Sequence, residues 1–129
     1  MKNPLITISW GELFDKITIL KLKSKKMTSP EALKNVSREL KQLRVIFDKE
    51  FKSNAPALNF EEELGVINDK LWNIEDQIRD KERSKIFDYE FVQLARSVYV
   101  TNDRRAAIKK EINKTFGSHL VEEKSYTKY

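Results

Sequence analysis

Ser29-Pro30-Glu31-Ala32-Leu33-Lys34-Asn35-Val36-Ser37-Arg38-Glu39-Leu40-Lys41-Gln42-Leu43 is the stretch on which the fold turns. Serine is a good helix N-cap, and proline suits the first helical position, where its missing N–H has no acceptor to lose. Glu31 then meets the positive end of the helix dipole. Leu33, Val36, Leu40, Leu43 and Phe47 follow in alternating steps of three and four, so one apolar stripe runs along a helix. The pattern predicts a helix to about Lys52, closed by Ser53-Asn54-Ala55-Pro56-Ala57, the clearest loop signal in the chain.

The same period recurs on both sides. Toward the amino end, Ser9 with Glu12 three residues on forms a capping box, predicting a helix from Trp10 to about Lys26. Leu13, Ile17, Leu20 and Met27 make its stripe, widened by Phe14 and Ile19. Before it, Pro4 to Ile8 reads as a short extended lead-in. Toward the carboxyl end, Asn59 with Glu62 forms a second capping box, followed by Leu64, Ile67, Leu71, Ile74 and Ile78. Helices two and three, each of about 22 residues, are expected to form an antiparallel hairpin, with Gly65 marking a close contact. Asp88 caps a fourth helix with Phe91, Leu94, Ala95, Val98, Ile108 and Ile112 on its stripe. That helix is expected to bend or restart at Thr101-Asn102-Asp103-Arg104-Arg105 and to end at Gly117. Ser118 to Tyr129 reads as a tail that Leu120, Val121 and Tyr126 can dock on the body. The expected architecture is all-α: one domain over 1–129, an antiparallel bundle of about four helices.

Composition agrees with that class. The chain has 129 residues, 40% of them apolar and 35% charged, and only 3 Gly and 3 Pro, too few for the turns of a β-sandwich. Absence of cysteine removes disulfides, thiolate catalysis and thiolate metal sites, and fits a cytoplasmic setting. The amino end turns polar too soon for a signal peptide, and no apolar run approaches the ~20 residues of a membrane span. The net charge of +5 comes from 25 basic and 20 acidic residues, largely interspersed, which argues against nucleic acid as a partner. The lysines at 21, 23, 25 and 26 meet the negative end of a helix dipole.

Several chemistries fail on their residues. A di-iron bundle needs Glu-x-x-His pairs, and the single histidine, His119, lies beyond Gly117. Carboxylate magnesium sites of helical pyrophosphohydrolases need acids four after Glu61 and three after Glu75, where Gly65 and Ile78 stand. A chorismate-mutase-like site lacks an early arginine in helix one. Phosphate loops and serine-nucleophile elbows are absent. No metal and no cofactor is expected.

One mismatch stands out. Continuing the stripe of helix four from Phe91, Ala95 and Val98 leads to Asn102, Arg105 and Lys109 before Ile112. A buried polar group without a partner costs about 1–3 kcal/mol. These positions therefore outrun the core or form a polar pocket with Arg96, Tyr99 and Asp103, supplied with acids by Glu12 and Asp15 or by Glu75 and Asp76.

Five blocks bear on this cluster: Ser9 to Leu20; Leu71-Trp72-Asn73-Ile74-Glu75-Asp76; Ala95-Arg96-Ser97-Val98-Tyr99; Asn102-Asp103-Arg104-Arg105-Ala106; and Glu122-Glu123-Lys124-Ser125-Tyr126. Together they resemble a family of small bacterial proteins of unknown function, sometimes found near glycosyltransferase and surface-polysaccharide genes. The resemblance runs from about Ser9 to Tyr129 and implies no activity, substrate or cofactor. Its motif residues are Glu12, Asp15, Lys16, Glu75, Arg96, Tyr99, Asn102, Asp103 and Arg105, and it draws in Lys124, Ser125 and Tyr126 from the tail.

The leading functional expectation is a non-enzymatic binding or accessory protein whose cluster grips an anionic ligand or a protein partner. A small enzyme acting on a phosphorylated or carboxylated metabolite is the alternative, with Glu12 or Glu75 as general base and Arg105 as anion clamp. A nucleic-acid-associated protein is the third. Two long heptad helices in so small a chain also make a homodimer an expectation.

Overall fold

The computed structural model describes all residues from 1 to 129, and four helices with no strand make up its regular structure. Helix α1 spans Trp10–Lys26, α2 Pro30–Phe51, α3 Ala55–Arg83 and α4 Tyr89–Thr115. The caps explain the starts. Ser9, Ser29 and Asp88 each accept an N–H bond three residues on, from Glu12, Ala32 and Phe91. Helix α4 ends just before Gly117, which takes a left-handed φ of 68°. Residues 1–9 are non-helical, and of their alternating apolar pair only Ile8 packs against the core.

Four expectations need correction. Helix α3 begins at Ala55, not at a box formed by Asn59 and Glu62. Asn54 is the cap, its Oδ1 accepting the Ala57 N–H at 3.0 Å. Pro56 belongs to the first turn, where a missing amide costs nothing. The helix therefore has 29 residues rather than about 22. Helix α4 runs unbroken through Thr101 to Arg105, because Asp103 and Arg105 bond to tertiary partners and Asn102 faces Arg105 within the helix instead of capping a new one. Gly65 marks no close contact, as a Cβ built there meets nothing within 4 Å. Finally, α2 and α3 do not form the principal hairpin: α2 packs on α1, and α3 pairs with α4.

Helix α1 is the hub, packed against α2, α3 and α4. It is antiparallel to α2, with Trp10 against Phe51 and Phe14 against Phe47. It is antiparallel to α4 as well, with Gly11 beside Asn113 and Asp15 beside Arg105. Its 17 residues include eight buried ones, against three of the 22 in α2. Phe14 has no exposed surface and touches the rings of Phe47, Phe51 and Phe116, so helices α1 and α2 and the end of α4 converge on one aromatic knot. Helices α3 and α4 outrun α1, leaving Ile86, Phe87, Tyr89 and Val92 exposed at their turn. No helix is long and apolar enough to cross a membrane.

Two features set the approach of the helices. Gly11 lies where a Cβ would stand 2.6 Å from the Lys109 carbonyl oxygen, so α1 and α4 touch backbone to backbone. Glu61 of α3 is buried and paired with Arg44 of α2 and, at 2.9 Å, with Lys21 of α1. Burial pushes its carboxyl up, but the Arg44 and Lys21 hydrogen bonds outweigh that and hold it below its ordinary 4.5. A depressed folded-state pKa supplies stability at neutral pH that is lost as pH falls through it.

The two glycines give opposite expectations in chemical denaturation. Gly65→Ala raises the midpoint, by about 0.5–1 kcal/mol of helix stability, whereas Gly11→Ala costs about 1–3 kcal/mol by forcing α1 from α4. A neutral Gly11→Ala would show that the contact is not tight. In acid titrations the native chain loses stability as pH drops below about 4.5. Glu61→Gln is expected to be less stable at pH 7 and flatter across that acid window.

Candidate functional site

Asp15 lies on α1 one residue after Phe14 and two before Ile17, and is 1% exposed because α1 is enclosed on three sides. A carboxylate removed from water must find partners. Arg105 of α4 supplies a fork: its Nε donates to Asp15 Oδ1 at 2.9 Å and its Nη2 donates to Oδ2. Asn68 of α3 donates Nδ2 to the same Oδ1 at 2.9 Å and to Thr18 Oγ1 at 2.9 Å. The Thr18 hydroxyl in turn donates to the Asp15 carbonyl at 2.8 Å. Three helices thus meet on one carboxylate.

Lys109, one turn after Arg105, has its Nζ 2.9 Å from Glu12, 3.3 Å from Glu122 and 3.8 Å from Asp15. Burial pushes this ammonium down, yet the Glu12, Asp15 and Glu122 carboxylates outweigh it and raise it above its ordinary 10.5. The Asp15 hydrogen bond does the same for the Arg105 guanidinium. Both groups are locked as cations. Glu122 is held low by Lys124, 3.0 Å away, and by Lys109.

Glu122 belongs to the tail, which turns back along α4. Its root is fixed by Ser118, whose Oγ accepts the Trp10 N–H at 2.9 Å and donates to Asn113 Oδ1 at 3.1 Å. Asn113 Oδ1 also accepts the Gly11 N–H at 2.7 Å. Together with the Ser9 cap, these bonds satisfy the free amides at the start of α1. At its far end Tyr129 donates to Asp103 Oδ2 at 2.6 Å, and its ring lies 5.1 Å from that of Tyr99.

Between α4 and the tail is a cleft of about 560 Å³, within the size range of small-molecule sites. One stripe of α4 brings Asn102, Arg105 and Lys109 to it, the next brings Tyr99 and Asp103, and the tail closes it with Lys124, Tyr126 and Tyr129. Arg105 spends its Nε and Nη2 on Asp15, and its Nη1 reaches only Asn102 Oδ1 at 3.5 Å. One edge of a fixed, permanently charged guanidinium therefore remains for whatever enters. Nowhere in the chain do three or more His, Cys, Asp or Glu side chains gather as a metal site would require.

Of the motif residues, Tyr99, Asn102, Asp103, Arg105, Lys124 and Tyr126 line the cleft, while Glu12 and Asp15 stand behind it as partners of Lys109 and Arg105. Three lie elsewhere. Lys16 is beside Glu39 of α2 at 4.0 Å, Glu75 bonds Arg79 on the outer side of α3, and Arg96 bonds Gln93 at 3.4 Å on exposed α4 surface. Lys16 and Arg96 fall off the α1–α4 contact by helical phase, and Glu75 is on α3, outside that contact. Glu12 uses its side chain on Lys109 rather than on the cap that the Ser9 box suggested. Asn68, Thr18, Asn113, Ser118, Glu122 and Tyr129 belong to the cluster without having been singled out. Asn68 carried a signal, as the residue beside Ile67 on an otherwise apolar stripe; Lys109 carried the stronger one, being on the interrupted seam of α4.

Residues 4–129 match the Family of unknown function (DUF6165). No curated protein and no solved structure matches the chain.

Removing one partner of the buried pair should be far costlier than removing an exposed one. Asp15→Asn is expected to lose about 3 kcal/mol of unfolding free energy, whereas Arg79→Ala, which breaks only the exposed pair with Glu75, should lose at most about 1 kcal/mol. Equal losses would mean that Asp15 does not hold the helices together.

Proposed function

The chain belongs to the DUF6165 family, which carries no assigned activity, and from the cleft itself we propose that it is a binding protein for a small anionic ligand. The observation that supports this is the Arg105 guanidinium, fixed from behind by buried Asp15 and turned toward a ligand-sized cleft by its remaining edge. A pre-set fork binds phosphate or carboxylate with little further loss of side-chain freedom. Lys124 faces it from the tail as a second cation. The site is electrically modest, because Glu12, Asp15 and Glu122 already offset much of its positive charge. Selectivity then rests on geometry more than on field strength. A role in glycan assembly accords with the gene neighbourhood that the resemblance carries, and makes nucleotide sugars natural probes alongside simple anions.

The enzymatic alternative has less to rest on. Glu12 and Glu75 were its general bases, but neither lines the cleft, and both are engaged with cations. Asp103, the one carboxylate that does line it, accepts from Tyr129.

A thermal-shift series with pyrophosphate, phosphorylated metabolites and nucleotide sugars tests the proposal. A ligand at 100 times its dissociation constant adds about 2.7 kcal/mol, a rise of roughly 10 °C for a chain of this length. Arg105→Lys keeps a charge opposite Asp15 but loses the fork, and Lys124→Ala alters only an exposed side chain. Each is expected to weaken binding at least about tenfold with the fold intact. No shift with any anion, or a shift untouched by both variants, would overturn the proposal.

A further inference from the structure

We infer that the ligand of this cleft is a phosphate ester of a hydroxylated ring, lying along α4 with its phosphate at Arg105 and its ring at Tyr99 and Asp103. This rests on the anion-binding reading of the same site and adds what its two ends demand. The cleft is polar in the sense of having unlike ends. Arg105, Lys109 and Lys124 form one, and Tyr99, Asp103 and Tyr129 form the other. A ligand charged along its whole length would bring negative charge against Asp103. The occupant is therefore anionic at one end only.

The opposite end has the chemistry that a hydroxylated ring requires. Tyr129 takes one Asp103 oxygen, Oδ2, and the other oxygen is left to accept from a ligand hydroxyl. Tyr99 and Tyr126 keep 45% and 76% of their surface exposed, so beside the Tyr99–Tyr129 contact and the Lys124 ammonium over Tyr126, ring surface remains for stacking. From Tyr99 to Arg105 the helix rises about 9 Å at 1.5 Å per residue. That is the scale of one ring bearing one phosphate, not of a polymer. The helix N-terminus nearby does not compete for the phosphate, because the Trp10, Gly11 and Glu12 amides are already bonded to Ser118, Asn113 and Ser9.

A phosphorylated sugar and a nucleoside monophosphate share this chemistry, and calorimetric titration of the full chain separates them. The probes are inorganic phosphate, a hexose 1-phosphate and a nucleoside 5′-monophosphate. At least one ester is expected to bind about tenfold more tightly than inorganic phosphate or better, and the better of the two names the source of the ring. Asp103→Asn, which still accepts from Tyr129, and Tyr99→Leu should each erase most of that advantage while leaving inorganic phosphate unaffected. If both esters bind no better than inorganic phosphate, or if the advantage survives both variants, the inference falls while anion binding stands. If neither phosphate nor ester binds, this inference falls, and anion binding falls with it when the thermal-shift series is flat for every anion as well.

Discussion

A single buried carboxylate, that of Asp15, constrains the rest of this structure. It is placed in the interior by helical phase and by the enclosure of α1, and its charge can be tolerated there only if donors converge on it. Arg105, Lys109 and Asn68 do so, and their positions set the register of α4 and α3 against α1. Such an arrangement is not a strong source of net stability, since desolvation offsets much of the attraction. Its effect is selective: a slip of α4 by one turn along α1 would leave the carboxylate without its fork. Gly11 enforces the same register sterically, and Asn113 caps the contact by bonding the Gly11 amide.

That polar register works because an apolar knot stands next to it. Phe14 follows Leu13 on the opposite flank of α1 and gathers Phe47, Phe51 and Phe116. The shortest helix therefore carries the most buried residues, while α2 keeps most of its residues in water. The division explains why α2 and α3, joined by a three-residue turn, do not simply lie along each other. Glu61 instead pins α3 to both α1 and α2 through Lys21 and Arg44, and α3 packs also along α4.

The cleft follows from the same constraint. With its Nε and Nη2 committed to Asp15, Arg105 presents a fixed edge outward, and Lys109 stays charged among three acids. The tail adds the other wall through a few polar bonds at Ser118, Glu122 and Tyr129 rather than through burial, its residues beyond half-buried Ser118 being exposed. A wall held in this way can adjust to an occupant at small cost, because exposed ion pairs and single hydrogen bonds contribute little each.

Much of this was legible in the order of residues. The caps at Ser9, Ser29 and Asp88 and the stop at Gly117 are local chemistry, and they mark three of the four helix starts and the end of α4. The interrupted seam of α4 announced that Asn102, Arg105 and Lys109 needed partners. Other local signals misled. Asn59 and Glu62 have the spacing of a capping box, yet they lie inside a helix begun by Asn54, because two competing caps can be ranked only by what the following turn packs against. Asn102 and Asp103 look like helix breakers until Arg105 and Tyr129 give them partners. Helical periodicity, then, established four amphipathic segments and the faces they bury, since a repeat of 3.6 residues is written in neighbours along the chain. Which face meets which was decided only in three dimensions: Asp15 finds Asn68 53 residues away and Arg105 90 residues away, pairings that depend on packing and charge compensation between helices and leave no mark on local spacing.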